Sequence, residues 1–160
     1  MIQLLTIGAY GHSPESFFDR LQSCEVDLLV DIRQRRGMRG RTYAFLNATA
    51  LQVELERRGI AYLHLKELAP TPGIRDAQRE ADRISGVTKR SREGLSQLFE
   101  AKYMAEVVAR ANFASIVRVL GQHKRVCFFC VERDARACHR SLVASWISER
   151  TGAVVTDISV

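Results

Sequence analysis

Short apolar runs alternate along the chain with segments whose apolar residues recur every three or four positions. Ile2 to Ile7 forms the first run, and Gly8 ends it. Val26 to Val30, Ile60 to Leu65 and Val126 to Val131 form three more, and Val154, Val155 and Ile158 make a closing one. Such runs predict buried strands. The segments between them predict helices. Ser13 caps the first, with Pro14 at its start and Phe17, Phe18 and Leu21 inward; Ser16, rather than Glu or Gln, stands three residues on, so a full capping box is not expected. Asn47 caps a second helix through about Arg58, with Leu51 and Leu55 inward and Gly59 as its stop. Leu95 to Arg110 predicts a third, with Leu95, Leu98, Phe99, Met104 and Val107 or Val108 inward, and Phe113 to Leu120 a fourth. The last starts near Asp134 to Ala137 with Asp134 as N-cap, and carries Leu142, Val143, Trp146 and Ile147. Strand and helix thus alternate five times. This predicts a single three-layer α/β/α domain over residues 1–160, with a mostly parallel, Rossmann-like sheet of about five strands.

The stretch from Arg125 to Arg150 adds chemistry to this pattern. Cys130, Glu132, Arg133, Asp134, Arg136, Cys138, His139 and Arg140 crowd a strand-to-helix junction, far more reactive side chains than a turn needs. In open α/β sheets, ligands bind beyond the carboxyl ends of the strands, where this junction lies. The other strands feed the same edge. The first leads into Gly8, Tyr10, Gly11, His12 and Ser13; the second into Asp31 and Arg33; the third into Lys66 and Glu67. His12 reads equally as a ligand or proton donor and as a loop histidine bonded to backbone. His64 reads as a structural histidine. After Asp31 come five arginines in nine residues, including Arg33, Arg35, Arg36 and Arg39, with Tyr43 and Phe45 close behind. Basic residues beside aromatics hold phosphates while stacking on bases. The segment from Ile74 to Gly94 is polar and mixed in charge, helical in its first half and a lid or arm in its second.

Charge strengthens the anion reading. The 160 residues carry a formal charge of +6, and arginine forks suit phosphate and carboxylate. No 18-residue apolar stretch is present, so no membrane span is expected, and the N-terminal apolar run lacks a basic region before it; a cytoplasmic location is expected. The four cysteines do not read as a disulfide framework. Cys127 and Cys130 have C-x-x-C spacing, yet residues three apart on a strand face opposite sides, so a zinc knuckle or redox pair on these two is not expected. Cys24 and Cys127 read as small buried hydrophobes.

The segments T-I-G-x-Y-G-x-S, L-L-V-D-I-R, I-A-Y-L-H-L-x-E-L and, above all, C-x-E-x-D-x-x-x-C-H-R-S-L-V-A lie in order along nearly the whole chain. They resemble the domain of unknown function 488 family. The resemblance implies a small three-layer α/β domain and gives motif status to Gly8, Ser13, Asp31, Arg33, Glu67, Cys130, Glu132, Cys138, His139 and Arg140. Ala69 stands where family members often have Gly. The resemblance does not define a reaction or a cofactor.

Three functions compete for these residues. The first is an enzyme acting on a phosphate-bearing nucleotide or nucleic acid. Arg33, Arg140 and the arginine loop would bind phosphate, Glu132 or Asp31 would move protons, and Cys138 beside His139 at a helix start would be a nucleophile or a packed thiol. The spacing Cys130-x5-Arg136 also resembles the thiolate loop of cysteine phosphatases and rhodanese-like enzymes, although Glu132 and Asp134 within it would repel a dianion. The second is a zinc site of Cys130, Cys138 and His139, with His12 as fourth ligand. Neighbouring helical residues diverge by about 100°, which disfavours Cys138 and His139 on one ion. The third is a non-catalytic nucleic-acid-binding or regulatory module.

Overall fold

The computed structural model describes residues 1–160. Five strands form one parallel sheet: β1 (Gln3–Ile7), β2 (Leu28–Asp31), β3 (Ala61–His64), β4 (Arg125–Phe129) and β5 (Val155–Ile158), in the order β3-β2-β4-β1-β5. All of them match the apolar runs to within a few residues. Six helices connect them: α1 (Pro14–Ser23), α2 (Ala48–Arg57), α3 (Pro72–Ser85), α4 (Gln97–Glu106), α5 (Phe113–Leu120) and α6 (His139–Thr151). The expected α/β class and parallel sheet are therefore present.

The strand order explains where a site forms. From β1 the chain moves outward to β2 and β3, then returns to the centre as β4 and leaves the other way to β5. Right-handed crossovers place outward and returning helices on opposite faces. Accordingly, Arg58 at the end of α2 stacks on Phe18 of α1 at 5.1 Å. On the other face, Phe113 of α5 meets Trp146 of α6 at 5.1 Å, and Tyr103 of α4 meets His139 of α6 at 5.5 Å. The connections after adjacent β1 and β4 head in opposite directions, which opens a crevice at their carboxyl ends.

Several local expectations change on folding. Ser16 fills the role of the missing Glu: the Ser13 hydroxyl accepts from Ser16 N at 3.1 Å, and Ser16 Oγ accepts from Ser13 N at 3.0 Å, completing the box. Ser13→Ala is expected to cost about 1 kcal/mol, read as a lower urea midpoint with unchanged m-value. Asn47 stands at the N-cap of α2 but does not cap it; its Oδ1 accepts from Met38 N at 2.5 Å, tying down the arginine loop. Leu98 and Met104 face solvent, while Phe99 and Tyr103 fill the inner face of α4. Tyr103 is fully enclosed and donates its hydroxyl to Leu68 O at 2.5 Å. Asp134 caps only a short 3-10 turn (Ala135–Ala137), and α6 begins later, with Cys138 as its N-cap. No helix is long and apolar enough to cross a membrane.

Candidate functional site

The loops after β1 and β4 run side by side. Ala9 N and Tyr10 N both donate to Val131 O, at 3.1 and 3.0 Å. The approach is so close that a Cβ on Gly8 would lie 1.9 Å from Glu132 O. Gly8 therefore serves backbone packing between the two loops. Beside this junction opens a cavity of about 670 Å³, lined by residues following β1, β2, β3 and β4 together with α3 and the loop after it. The convergence expected from the strand pattern thus produces one concave space.

Eight arginines and Lys89 line the cavity, against two carboxylates, Asp82 and Glu132. Several of these charges are spent. Arg33 pairs with Asp31, Arg92 with Asp82 and Glu132, Arg79 with Asp76, and Arg83 with Glu80. Lys89 Nζ lies 3.6 Å from Glu132. Arg35, Arg39, Arg75 and Arg90 have no carboxylate partner. Arg75 additionally has a buried Nε without a hydrogen-bond partner, and Arg90 lies 5.1 Å over the ring of Tyr10. Tyr10 itself packs edge-on against Tyr43.

The deep end of the cavity holds the reactive cluster. Cys130, Cys138 and His139 are buried, with one ligand atom from each within 4.8 Å of the others. Cys138 Sγ lies 3.8 Å from His139 Nδ1. The expected divergence of these neighbours fails for a simple reason. Cys138 is the N-cap, with extended backbone (φ −140°, ψ 144°), so it does not follow the helical 100° step. His139 Nε2 lies 2.9 Å from Ile32 O. A carbonyl only accepts, so Nε2 carries the proton and donates, and Nδ1 faces the sulfur. Cys130 and His139 line the cavity; Cys138 lies behind them.

The charges here act directly on one another. Burial opposes ionisation of Cys138, but the Cys130 thiol, the His139 ring and the Arg140 guanidinium outweigh it and hold Cys138 well below the ordinary cysteine range. Cys130, whose thiol proton is held by hydrogen bonding to Cys138 and by desolvation, is pushed well above it. Burial lowers His139, yet the Cys138 charge more than restores it, so the net shift is upward. Burial, reinforced by Cys138, raises Glu132. Glu132 Oε1 accepts from Arg92 Nη2 at 3.0 Å, and its Oε2 is buried without a partner.

Arg92 is a cavity residue that no motif in the sequence marks. It also donates from Nη1 to Asp82 Oδ2 at 2.8 Å and from Nε to Ala137 O at 3.1 Å, so one guanidinium ties α3, the lid-like loop and the β4 junction together. Gln78 supports Asp82 through Nε2 at 2.8 Å. The weak signal was Gln78 and Asp82 one turn apart, amid a highly charged segment that otherwise reads as solvated.

The other expected residues occupy distinct places. Asp31 and Arg33 form a buried bidentate pair: Nε donates to Oδ1 at 2.9 Å and Nη2 to Oδ2 at 2.7 Å. Tyr62 Oη also donates to Oδ2 at 2.8 Å, so both oxygens of Asp31 are occupied. Arg140 is fully buried and donates to the carbonyls of Glu132 and Arg133, at 2.5 and 3.1 Å, clamping the loop from below. His12 bonds Ser16 Oγ at 3.0 Å and lies outside the cysteine–histidine cluster and the cavity lining. Burial, together with Arg20, Arg133 and Arg140, lowers its basicity. Ser13 is a helix cap. Arg36 turns to Tyr62 Oη at 3.4 Å, and Glu67 lies at a separate shallow depression with Lys66. His64 lies 2.9 Å from Arg33 O through Nε2, the satisfied structural role expected of it. Arg136 is exposed and paired to Asp134 at 2.8 Å, so it does not close an anion loop over Cys130.

No curated protein and no solved structure matches the chain. A family profile described as "Domain of unknown function DUF488" matches residues 13–147, a span that contains α1, the Asp31–Arg33 pair, Arg92 and the whole Cys130–Arg140 junction. The motifs at the sheet edge and this match over most of the sequence agree, and the chain belongs to the DUF488 family.

Proposed function

We propose that this protein is an enzyme acting on a phosphate-bearing substrate, a nucleotide or nucleic acid, bound in the cavity at the carboxyl edge of the sheet. The observation that carries this reading is the set of Arg35, Arg39, Arg75 and Arg90, which face one cavity without carboxylate partners. Unneutralised guanidinium forks are matched by phosphate oxygens. Tyr10 and Tyr43 on the same wall supply aromatic surface for a base. Glu132 is the group assigned to handle a proton, because it borders the cavity and one of its oxygens is buried without a partner. Asp31 and Arg140 serve this site indirectly, by fixing Arg33 and the Glu132 loop.

The test is a thermal-shift and calorimetry panel of phosphate, nucleotides and short single- and double-stranded nucleic acids. Ligand at 100 times Kd is expected to stabilise the native state by about 2.7 kcal/mol. Arg39→Ala with Arg75→Ala is expected to weaken binding at least tenfold while leaving the unliganded midpoint nearly unchanged. A flat panel at low salt would refute the reading. A non-catalytic nucleic-acid module uses the same four arginines, and is distinguished by steep salt dependence without turnover of any bound nucleic acid.

A further inference from the structure

We propose that Cys130, Cys138 and His139 hold a zinc-class divalent cation at the floor of the cavity. The inference does not rest on the anion reading, since it concerns different atoms. Two cysteine sulfurs and one imidazole nitrogen are the donors that zinc takes in preference to harder cations. Tetrahedral zinc with ordinary Zn–S and Zn–N bonds sets its ligand atoms about 3.3–3.9 Å apart. Cys138 Sγ and His139 Nδ1 are already 3.8 Å apart, and all three donors lie within 4.8 Å, so small side-chain adjustments close the set.

The surroundings favour a cation. His139 donates from Nε2 to Ile32 O, which makes Nδ1, 3.8 Å from Cys138 Sγ, the nitrogen available for coordination. A backbone carbonyl orienting a histidine in this way is the usual outer support of a metal-bound imidazole. Two sulfurs sharing one buried site cannot both ionise without a cation; a divalent ion removes both protons and leaves the set neutral. Cys130 and His139 also line the cavity, so the ion would border it. Three protein ligands with a remaining position at a cavity match the donor count of catalytic rather than structural zinc. Glu132, two residues from Cys130 in sequence, also borders the cavity and has a buried oxygen without a partner.

The experiment is elemental analysis of purified, buffer-exchanged protein, followed by replacement with cobalt(II) and absorption spectroscopy. About one zinc per chain and an intense thiolate-to-cobalt charge-transfer band are expected. A chelator is expected to lower the thermal midpoint, because metal binding to the native state alone stabilises it. Cys130→Ser and Cys138→Ser are each expected to weaken or abolish the band, with circular dichroism confirming that the variant is folded. Wild-type protein that takes up neither zinc nor cobalt overturns the proposal, as does a cobalt band unchanged in folded Cys130→Ser/Cys138→Ser. The wild-type measurements decide the matter even if a variant fails to fold. Neither result bears on the anion panel, so the two readings fail separately.

Discussion

Replacing Asp31 by alanine is expected to destabilise the protein by about 3–5 kcal/mol, one of the largest effects of any single side-chain truncation in the chain. Asp31 and Arg33 expose 0 and 2 % of their side chains, so the guanidinium left behind has no water to turn to. Arg33 also stacks on Phe129 at 4.7 Å and donates to Leu46 O at 3.0 Å, which holds it in place after its counter-ion is gone. The Tyr62 hydroxyl would lose its acceptor at the same time. Urea unfolding, followed by circular dichroism, measures the effect. A loss below about 1 kcal/mol would mean that Arg33 reaches solvent and that the pair is not enclosed. The double variant Asp31→Leu/Arg33→Met supplies the control. Removing both charges together is expected to cost much less than removing Asp31 alone, because apolar residues of similar volume replace a buried pair with little penalty.

Gly8→Ala is expected to be comparably damaging, for a steric reason. The added Cβ would overlap the Glu132 carbonyl at 1.9 Å and approach Arg140 Nη1 at 3.2 Å. The carbonyl cannot move away cheaply, since it also accepts from Arg140, and the two loops share the hydrogen bonds of Val131 O. Overpacking against backbone costs typically 1–3 kcal/mol and more where nothing can shift. The damage should reach the site as well, because the same peptide carries Glu132. A variant that folds is expected to have a lower urea midpoint together with weakened cobalt absorption or anion binding. An unfolding free energy within about 0.5 kcal/mol of wild type, the scatter of a neutral surface change, would show that the loops separate easily.

These two residues illustrate how differently a motif position can be used. Gly8 and Asp31 stand where a ligand-binding glycine and a catalytic acid would stand, and the strand pattern placed both at the correct edge. Their partners decide their roles. Glu132 O meets Gly8 across 124 positions of chain, and the Asp31–Arg33 pair is held by Tyr62 against Asp31 and by Phe129 against Arg33, each from another strand. Arg92 shows the converse. Nothing local distinguishes it from Arg83 or Arg90, yet it alone is drawn inward, because Asp82 and Glu132 meet at one guanidinium only after α3 is brought close to the loop that follows β4.

The amino-acid sequence by itself determined the alternation of strands and helices, the parallel sheet, the edge where polar groups gather, and the family. Those features follow from local periodicity, from caps and glycine stops, and from motif spacing. Tertiary structure alone decided which of the many charges are neutralised and which are left facing the cavity. It also decided that Cys138 turns toward His139, through an extended N-cap that begins α6 later than its apolar pattern indicates. Charge pairing and desolvation depend on groups brought together from distant segments, and a sequence read locally contains the charges without the distances between them.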